Sequence, residues 1–324
     1  MWALLATGFV ALTVMVTPAS ASSPAGGSTT ICLDPGQRAE QERTVRVAAR
    51  VGALLLAHTP SYLGPCFAYG EARTLGDGTV RAYVQTDRSA PRAVGVVFPR
   101  SAMGGLPSAP HDGHNCYDVD GNGAIDVHHE CVGGHEHELS LPETAATPFK
   151  WVLANWNPVG HHPPGIYNVP HFDFHFYMQS LAERNAIGMG PCAELVSCGD
   201  FERATVPVPD AYRPQDHVDV GAVQGAMGNH LLDLTGPEFN GEPFTHTFIY
   251  GAFDGSISFM EPMITTAWFD DLYEGRRQNR CFPMKLPQAW EESGWYPTEY
   301  CVRYRPNRSD FTVSLEGFVY RTAT

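Results

Sequence analysis

The stretch His171-Phe172-Asp173-Phe174-His175-Phe176-Tyr177 largely decides how this chain can fold. In a β-strand, successive side chains point to opposite faces of the sheet, so residues two apart share a face. The stretch therefore predicts a strand with one aromatic face, formed by the three phenylalanines, and one polar face. Because three phenylalanines on one face of a strand require burial, we expect this strand to lie inside a sheet that covers a hydrophobic core.

The polar face of this strand is a candidate metal site. His171, Asp173 and His175 follow one another at every second position, about 7 Å apart, so neighbours can share an ion or orient one another. Tyr177 continues the row and could donate a hydrogen bond to a bound ligand. The alternative is an internal polar network satisfied by water and backbone groups. Two histidines and an aspartate in one register favour a transition metal such as zinc.

Further ligands have to come from other parts of the chain. His161 lies just upstream, before two prolines, and can return toward the strand. His230 follows a Gly-Asn pair, and Glu261 ends another predicted strand. Each is weak evidence alone, since a surface histidine is the commoner explanation. The predicted metal ligands are His161, His171, Asp173, His175, His230 and Glu261.

A second candidate cation site lies in residues 118–126, DVDGNGAID, which match the first nine positions of a D-x-D-x-N-G calcium loop. The glutamate expected at position 12 is missing, because His129 stands there and Glu130 follows. No helical pattern flanks the loop, so we predict a calcium loop without the paired helices, and the alternative is an acidic turn that binds no ion. The predicted ligands are Asp118, Asp120, Asn122, the carbonyl of Ala124, and Asp126.

The first residues predict export. Residues 2–18 are apolar and uncharged, and Ala19-Ser20-Ala21 follows them, which is typical of a signal peptide cleaved after Ala21. No lysine or arginine precedes the apolar run, which departs from the usual pattern. A membrane anchor is the alternative, but the run is short for a span, and no later stretch is long enough to cross a bilayer. We expect a secreted or periplasmic protein.

The eight cysteines all follow the predicted cleavage site, and an even number in an exported protein predicts disulfides. Free buried thiols are the alternative, which an oxidising compartment disfavours. None of the spacings is C-x-x-C, the pattern of redox and zinc sites. Of the 105 pairings that eight cysteines allow, we predict the neighbouring ones: Cys32–Cys66, Cys116–Cys131, Cys192–Cys198 and Cys281–Cys301.

Composition narrows the fold class. With 43% hydrophobic and 17% charged residues, the 324-residue chain is globular, and its 32 glycines and 26 prolines exclude a helical bundle. We predict a β-rich α+β protein, mainly an antiparallel sheet or barrel-like, with long disulfide-stapled loops and a hairpin turn at Asp254-Gly255. The predicted organisation is a flexible leader at 22–44 and a single domain at 45–324, with the calcium-like loop inserted at 111–138. Predicted strands are 79–86, 93–98, 171–177, 244–250, 256–261, 299–305 and 310–320, and a short helix is predicted at 178–187.

Charge and motifs restrict the function. The 21 basic and 35 acidic side chains give a net charge of −14, which repels phosphate backbones and argues against nucleic acid as a partner. The sequence contains no G-x-S-x-G, H-E-x-x-H or phosphate-binding-loop motif. Two interpretations remain: a metal-binding protein or metal-dependent enzyme of unassigned reaction, and a non-catalytic, calcium-stabilised extracellular protein that binds a small ligand. Oligomeric state is not predicted.

Several motifs resemble an uncharacterised family of secreted bacterial proteins, a domain of unknown function. Its hallmark resembles PHFDFHFY at residues 170–177. Similar blocks are WNPVGH at 156–161, PGIY at 164–167, MGNH at 227–230, PEFNGEPFT at 237–245 and EPMIT at 261–265. The resemblance covers about residues 70–270. It implies an exported, β-rich protein with a histidine-lined site, and it implies no reaction or substrate.

Overall fold

The structure is a computed structural model, and it describes residues 27–36, 42–142 and 147–324. The predicted signal peptide, residues 1–21, lies outside this part of the chain. The strands are β1 (Ser28–Leu33), β2 (Arg43–Ala48), β3 (Tyr62–Leu63), β4 (Ala68–Tyr69), β5 (Arg73–Leu75), β6 (Gly78–Asp87), β7 (Ala90–Pro99), β8 (Asn115–Cys116), β9 (Cys131–Val132), β10 (His135–Ser140), β11 (Trp151–Asn157), β12 (His171–Tyr177), β13 (Met189–Cys192), β14 (His217–Gln224), β15 (Gly228–Asp233), β16 (His246–Phe253), β17 (Ser256–Thr265), β18 (Arg280–Pro283), β19 (Gly294–Tyr296), β20 (Glu299–Arg305), β21 (Asp310–Glu316) and β22 (Val319–Arg321). The helices are α1 (Ala49–His58), α2 (Leu181–Asn185), α3 (Cys198–Ala204) and α4 (Thr266–Tyr273), with 3-10 turns at Arg100–Met103 and Pro237–Phe239.

Two large antiparallel sheets form the body of the protein, which confirms the β-rich fold class. The first sheet has the order β10-β11-β12-β17-β16-β15-β14. The second sheet has the order β18-β20-β21-β7-β6-β4, and β5 also pairs with β6. Smaller sheets are formed by β2-β1-β3, by β19-β22 and by β8-β9. The strand β12, on which the sequence analysis centres, therefore lies between two partners inside the first sheet.

One hydrophobic core joins the two large sheets. The phenylalanines of β12, residues 172, 174 and 176, belong to it together with Phe98 of β7 and Phe311 of β21. The ring of Phe98 lies 5.8 Å from that of Phe172 and 6.2 Å from that of Phe174, measured between centroids. All seven residues of β12 are buried. The aromatic face thus packs on the second sheet, as the alternating pattern predicts, and the polar face is covered from the other side.

The beginning of the described chain departs from prediction. Residues 28–33, predicted within a flexible leader, form β1, which pairs with β2 and β3. Ile31 and Cys32 of this strand are fully buried, and a disulfide to Cys66 ties the strand down. A short strand of this kind is fixed by partners that are distant in sequence, so local composition alone suggests a mobile segment.

The disulfide pairing agrees with prediction at every cysteine. The four bridges are Cys32–Cys66, Cys116–Cys131, Cys192–Cys198 and Cys281–Cys301. The predicted helix at 178–187 is shorter, because the Ser180 side chain caps α2 by accepting a hydrogen bond from the Glu183 backbone N–H. Over the described ranges, no helix is both long enough and apolar enough to cross a membrane.

Candidate metal centre

The polar face of β12 forms the floor of a cavity of about 550 Å³, which we call the main cavity. Asp173 and His175 line the cavity and are buried, and His171 on the same face is also buried but does not line it. The cavity walls come from loops and neighbouring strands, and they bring in all three of the predicted ligands that lie outside β12. His161 comes from the loop between β11 and β12, Glu261 from β17 and His230 from β15. Five of the six predicted metal ligands therefore line one cavity, and His171 joins them through its contact with Asp173. The six side chains divide into two groups.

The first triad consists of His161, His171 and Asp173. Their ligand atoms all lie within 4.8 Å of one another. The Nε2 atom of His171 is 3.1 Å from Oδ1 of Asp173, and Nε2 of His161 is 3.2 Å from Oδ2 of the same carboxylate. Asn157 donates a hydrogen bond to Oδ2. One carboxylate is thus flanked by two imidazole nitrogens.

The other ring nitrogens of the first triad are fixed by backbone carbonyls. Nδ1 of His161 is 2.7 Å from the carbonyl oxygen of His162, and Nδ1 of His171 is 2.6 Å from that of Val169. A carbonyl oxygen only accepts, so each Nδ1 carries the proton. In a neutral ring, Nε2 then presents a lone pair to the carboxylate, which is also an acceptor. These contacts are favourable only if the rings are protonated or if a cation lies between the groups.

The second triad consists of His175, His230 and Glu261, whose ligand atoms also lie within 4.8 Å of one another. Nε2 of His175 is 3.2 Å from Oε1 of Glu261. Nδ1 of His230 faces the carbonyl oxygen of Ala222 at 3.0 Å, which leaves Nε2 as the free nitrogen. Among the described residues, neither nitrogen of His175 nor Oε2 of Glu261 has a hydrogen-bond partner. Such buried, unpaired polar atoms are costly unless something binds them.

A glycine positions the histidines of the second triad. Gly251 of β16 lies opposite His230 of β15 and Phe259 of β17. A Cβ atom at position 251 would overlap the ring of Phe259. That ring lies 4.8 Å from the ring of His175 and 5.3 Å from that of His230, between centroids. The absent side chain therefore lets one aromatic ring pack against both histidines.

The electrostatic environment differs between the two triads. In the first, burial opposes the charged form of Asp173, but His171 and His161 outweigh burial and hold the pKa of this carboxyl far below its usual range. Burial also opposes charge on His161, yet Asp173 raises the pKa of that imidazole. The first triad is thus a place where positive charge is stabilised, whether it comes from protons or from an ion.

In the second triad, desolvation dominates. Burial lowers the pKa of His175 to about 3 and that of His230 to about 4, so both rings are neutral at pH 7. Burial, together with the charge of Asp173, raises the pKa of Glu261 well above its usual value. Neutral imidazoles are the form that binds metal, and a bound cation would favour release of the Glu261 proton.

Tyr177, for which contact with a bound ligand is predicted, lies away from the main cavity. Although it shares the polar face of β12, its side chain is fully buried and stacks on the ring of Trp151, 4.3 Å away between centroids. It also packs against Phe259 and does not line the main cavity. The strand extends past the cavity, so the last residue of the row is covered by neighbouring aromatic rings.

The predicted calcium loop gathers three carboxylates, and one of them was not among the predicted ligands. Oxygens of Asp118, Asp120 and Glu130 lie within 4.8 Å of one another. Glu130 is 6% exposed and accepts hydrogen bonds from the backbone N–H groups of Val119 and Asp126. The sequence pattern did not identify Glu130 as a ligand, because Glu130 follows position 12 of the loop by one residue.

The remaining predicted calcium ligands have other contacts. Asp126 accepts hydrogen bonds from the backbone N–H of His128 and contacts the ring of His129 at 2.7 Å. The side-chain oxygen of Asn122 accepts from the backbone N–H of Ala124. The strands β8 and β9 and the Cys116–Cys131 disulfide close the base of the loop. Because His128 and His129 also line the main cavity, the loop forms part of its rim.

Comparison of the chain with protein-family models, with curated protein sequences and with solved structures gives no match. The resemblance to an uncharacterised secreted family therefore stays an expectation. What the protein does is inferred below from the chemistry of the two triads and of the cavity that they line.

Proposed function

We propose that this is an exported metal-binding protein that holds a divalent transition metal, such as zinc, on the floor of the main cavity. The observation that carries the proposal is the convergence of acceptors in the first triad. His161 and His171 each direct Nε2 at one carboxylate while their Nδ1 atoms donate to carbonyl oxygens. A cation between them converts both repulsive contacts into coordinate bonds. Histidine nitrogens and a carboxylate oxygen form a ligand set that zinc prefers.

The competing explanation is a network of protonated histidines. It requires a proton on both Nε2 atoms, or else it leaves one acceptor facing another. For His171, the 3.1 Å contact with Asp173 also lacks the geometry of a hydrogen bond. In the second triad, protonation is opposed by burial, which lowers the pKa of His175 and of His230. A metal ion satisfies the atoms of both triads without buried imidazolium groups, so we favour it.

The number of protein ligands is typical of a metal site that also binds water or a substrate. Each triad offers two histidines and one carboxylate, and three protein ligands leave a coordination position open. Zinc enzymes use such an open position for water or substrate, whereas structural zinc sites are closed by four protein ligands. The main cavity gives a small molecule access to that position. A metal-dependent enzyme is therefore a candidate class, and no reaction is assigned.

We propose in addition that residues 118–130 bind calcium. The buried carboxylate of Glu130, close to those of Asp118 and Asp120, supports this, because oxygen-rich clusters suit Ca²⁺. On this interpretation calcium stabilises the rim of the main cavity. A non-catalytic, calcium-stabilised binding protein is the second candidate function.

Elemental analysis of protein purified from the exported fraction separates the candidates. One or two equivalents of transition metal per chain support the first proposal, and calcium alone supports the second. His171→Asn should lose the metal of the first triad. The matched control is His217→Asn, because His217 is a buried histidine of the same sheet whose two ring nitrogens both face carbonyl oxygens. A protein that retains neither ion after dialysis would contradict both proposals.

A further inference from the structure

A second cavity of about 390 Å³ adjoins the main cavity, and we call it the side cavity. The two cavities share His161, His162, Glu194, Gln224 and His230. Because His230 belongs to the second triad, the side cavity begins at a candidate metal ligand. Each cavity falls within the range of volumes typical of small-molecule sites.

The side cavity differs from the main cavity in chemistry. Away from the shared residues, its walls are mostly apolar. They include Pro163, Tyr167, Leu232, Leu234, Phe239 and Ile249. Leu232 and Ile249 are buried, whereas Leu234 is 44% exposed. A polar, metal-binding compartment thus continues directly into an apolar one.

The charge of the site restricts what can bind the metal. A triad that holds a divalent ion carries one net positive charge, since its two histidines are neutral and its carboxylate is ionised. One singly charged anionic group neutralises that charge. Glu194 stands in the shared wall, 3.5 Å from Nδ1 of His162, and burial raises the pKa of its carboxyl group. When ionised, this carboxyl group disfavours ligands with more negative charge.

We propose that the site takes small amphipathic molecules, in which a monoanionic oxygen group binds the metal and an aromatic or alkyl group occupies the side cavity. This inference rests on the proposed metal-binding function and deepens it by naming the class of ligand. Apolar surface removed from water in the side cavity supplies affinity, and the metal supplies orientation.

The test compares two hydroxamates that share a metal-binding group. Protein loaded with zinc is titrated calorimetrically with acetohydroxamate, which carries a methyl group, and with benzohydroxamate, which carries a phenyl group. Benzohydroxamate should bind about tenfold more tightly or better, because the ring buries apolar surface. Leu234→Asn should remove most of that preference and leave the affinity for acetohydroxamate unchanged. The matched control is Leu63→Asn, at a 63% exposed leucine in β3 that does not line the side cavity.

The outcomes distinguish this inference from the proposed function. If zinc-loaded protein binds both hydroxamates with equal affinity, the proposal of an amphipathic ligand is wrong, whereas the proposed metal site is not affected. A phenyl preference that persists unchanged in Leu234→Asn would also overturn it, because the ring would then lie elsewhere. If metal-free protein binds benzohydroxamate as tightly as zinc-loaded protein does, the hydroxamate group does not bind the metal, which contradicts the proposal. Protein that takes up no zinc fails the proposed function itself.

Discussion

Asn157 donates a hydrogen bond from Nδ2 to Oδ2 of Asp173 over 2.6 Å, across the paired strands β11 and β12. Both side chains are buried, and the same oxygen faces His161. The amide thus fixes the orientation of the one carboxylate that two histidines share. Groups that orient metal ligands in this way are important for affinity although they do not touch the ion.

Replacing this amide should weaken metal binding without removing a ligand. In Asn157→Ala, Asp173 loses its orienting donor, and zinc affinity should fall by about 10- to 100-fold, measured by competition with a chelator. Asn307→Ala is the control, because the side chain of Asn307 donates to the carbonyl oxygens of Thr59 and Ser61 and does not line the main cavity. Equal loss of zinc affinity in both variants would indicate a general effect of removing an amide and would contradict the orienting role.

The buried histidines of the second triad should make metal-free protein less stable in acid. The pKa of His175 falls from 6.5 to about 3 on folding and that of His230 to about 4, so between pH 6.5 and 4 the unfolded chain binds more protons than the folded chain. Stability is therefore full above pH 6.5 and is lost as the pH falls. Each histidine should lower the free energy of unfolding by about 2 kcal/mol at pH 5 relative to neutral pH.

Urea unfolding with a chelator present, repeated at several pH values, measures this loss. His230→Asn lacks one of the two buried histidines. The difference between its free energy of unfolding and that of the unmodified protein should therefore shrink as the pH falls from 7.5 to 5. His58→Asn, at an exposed histidine of α1, serves as the control. If this difference in free energy of unfolding stays constant over the pH range, His230 does not resist protonation in the folded state.

Calcium should raise the melting temperature through Glu130. An ion that binds only the folded state stabilises it by about 2.7 kcal/mol at one hundred times its dissociation constant. Glu130→Gln should abolish the calcium-dependent increase, which is read from thermal melts with and without calcium. Glu138→Gln, at an exposed carboxyl group on β10, should keep the increase. Retention of the full increase in Glu130→Gln would place any bound calcium elsewhere.

The two faces of β12 should respond differently to mutation. Phe174→Ala removes a buried ring from the core between the sheets and should cost about 3–5 kcal/mol of stability. The folded fraction should keep its metal content, because the ring faces away from the main cavity. His175→Ala should instead reduce metal content at the second triad. Chemical unfolding and elemental analysis of the same two samples provide both readings, and loss of metal in folded Phe174→Ala would contradict the division of faces.

Features set by neighbouring residues were predictable from sequence. Alternation along 171–177 predicts both the strand and its two faces, and the Asp254-Gly255 turn follows from residues that accept positive φ angles, 51° and 77° in the structure. The four disulfides follow from proximity along the chain. Apart from Cys32–Cys66, which spans 34 residues, each of these depends on contacts that close over a short segment.

Features that depend on distant pairing were not predictable. The division of six ligands into two triads follows from the order β12-β17-β16-β15, which brings Glu261 and His230 to His175. The loop before β12 returns His161 to the strand, as expected from its place in the sequence, but its contact with Asp173 is known only from the structure. Neither arrangement is encoded in local periodicity. Asn157 is likewise ordinary in the sequence. The register between β11 and β12 places it opposite His171, and its side chain reaches Asp173 diagonally.

The packing at Gly251 has a consequence for how this protein can evolve. Any larger residue there must displace Phe259, and with it the support of two histidines on different strands. Position 251 offers no side-chain ligand atom, yet selection for the site would act on it as well as on His175. In a library of single substitutions screened for metal uptake, position 251 should tolerate as few replacements as the predicted metal ligands do.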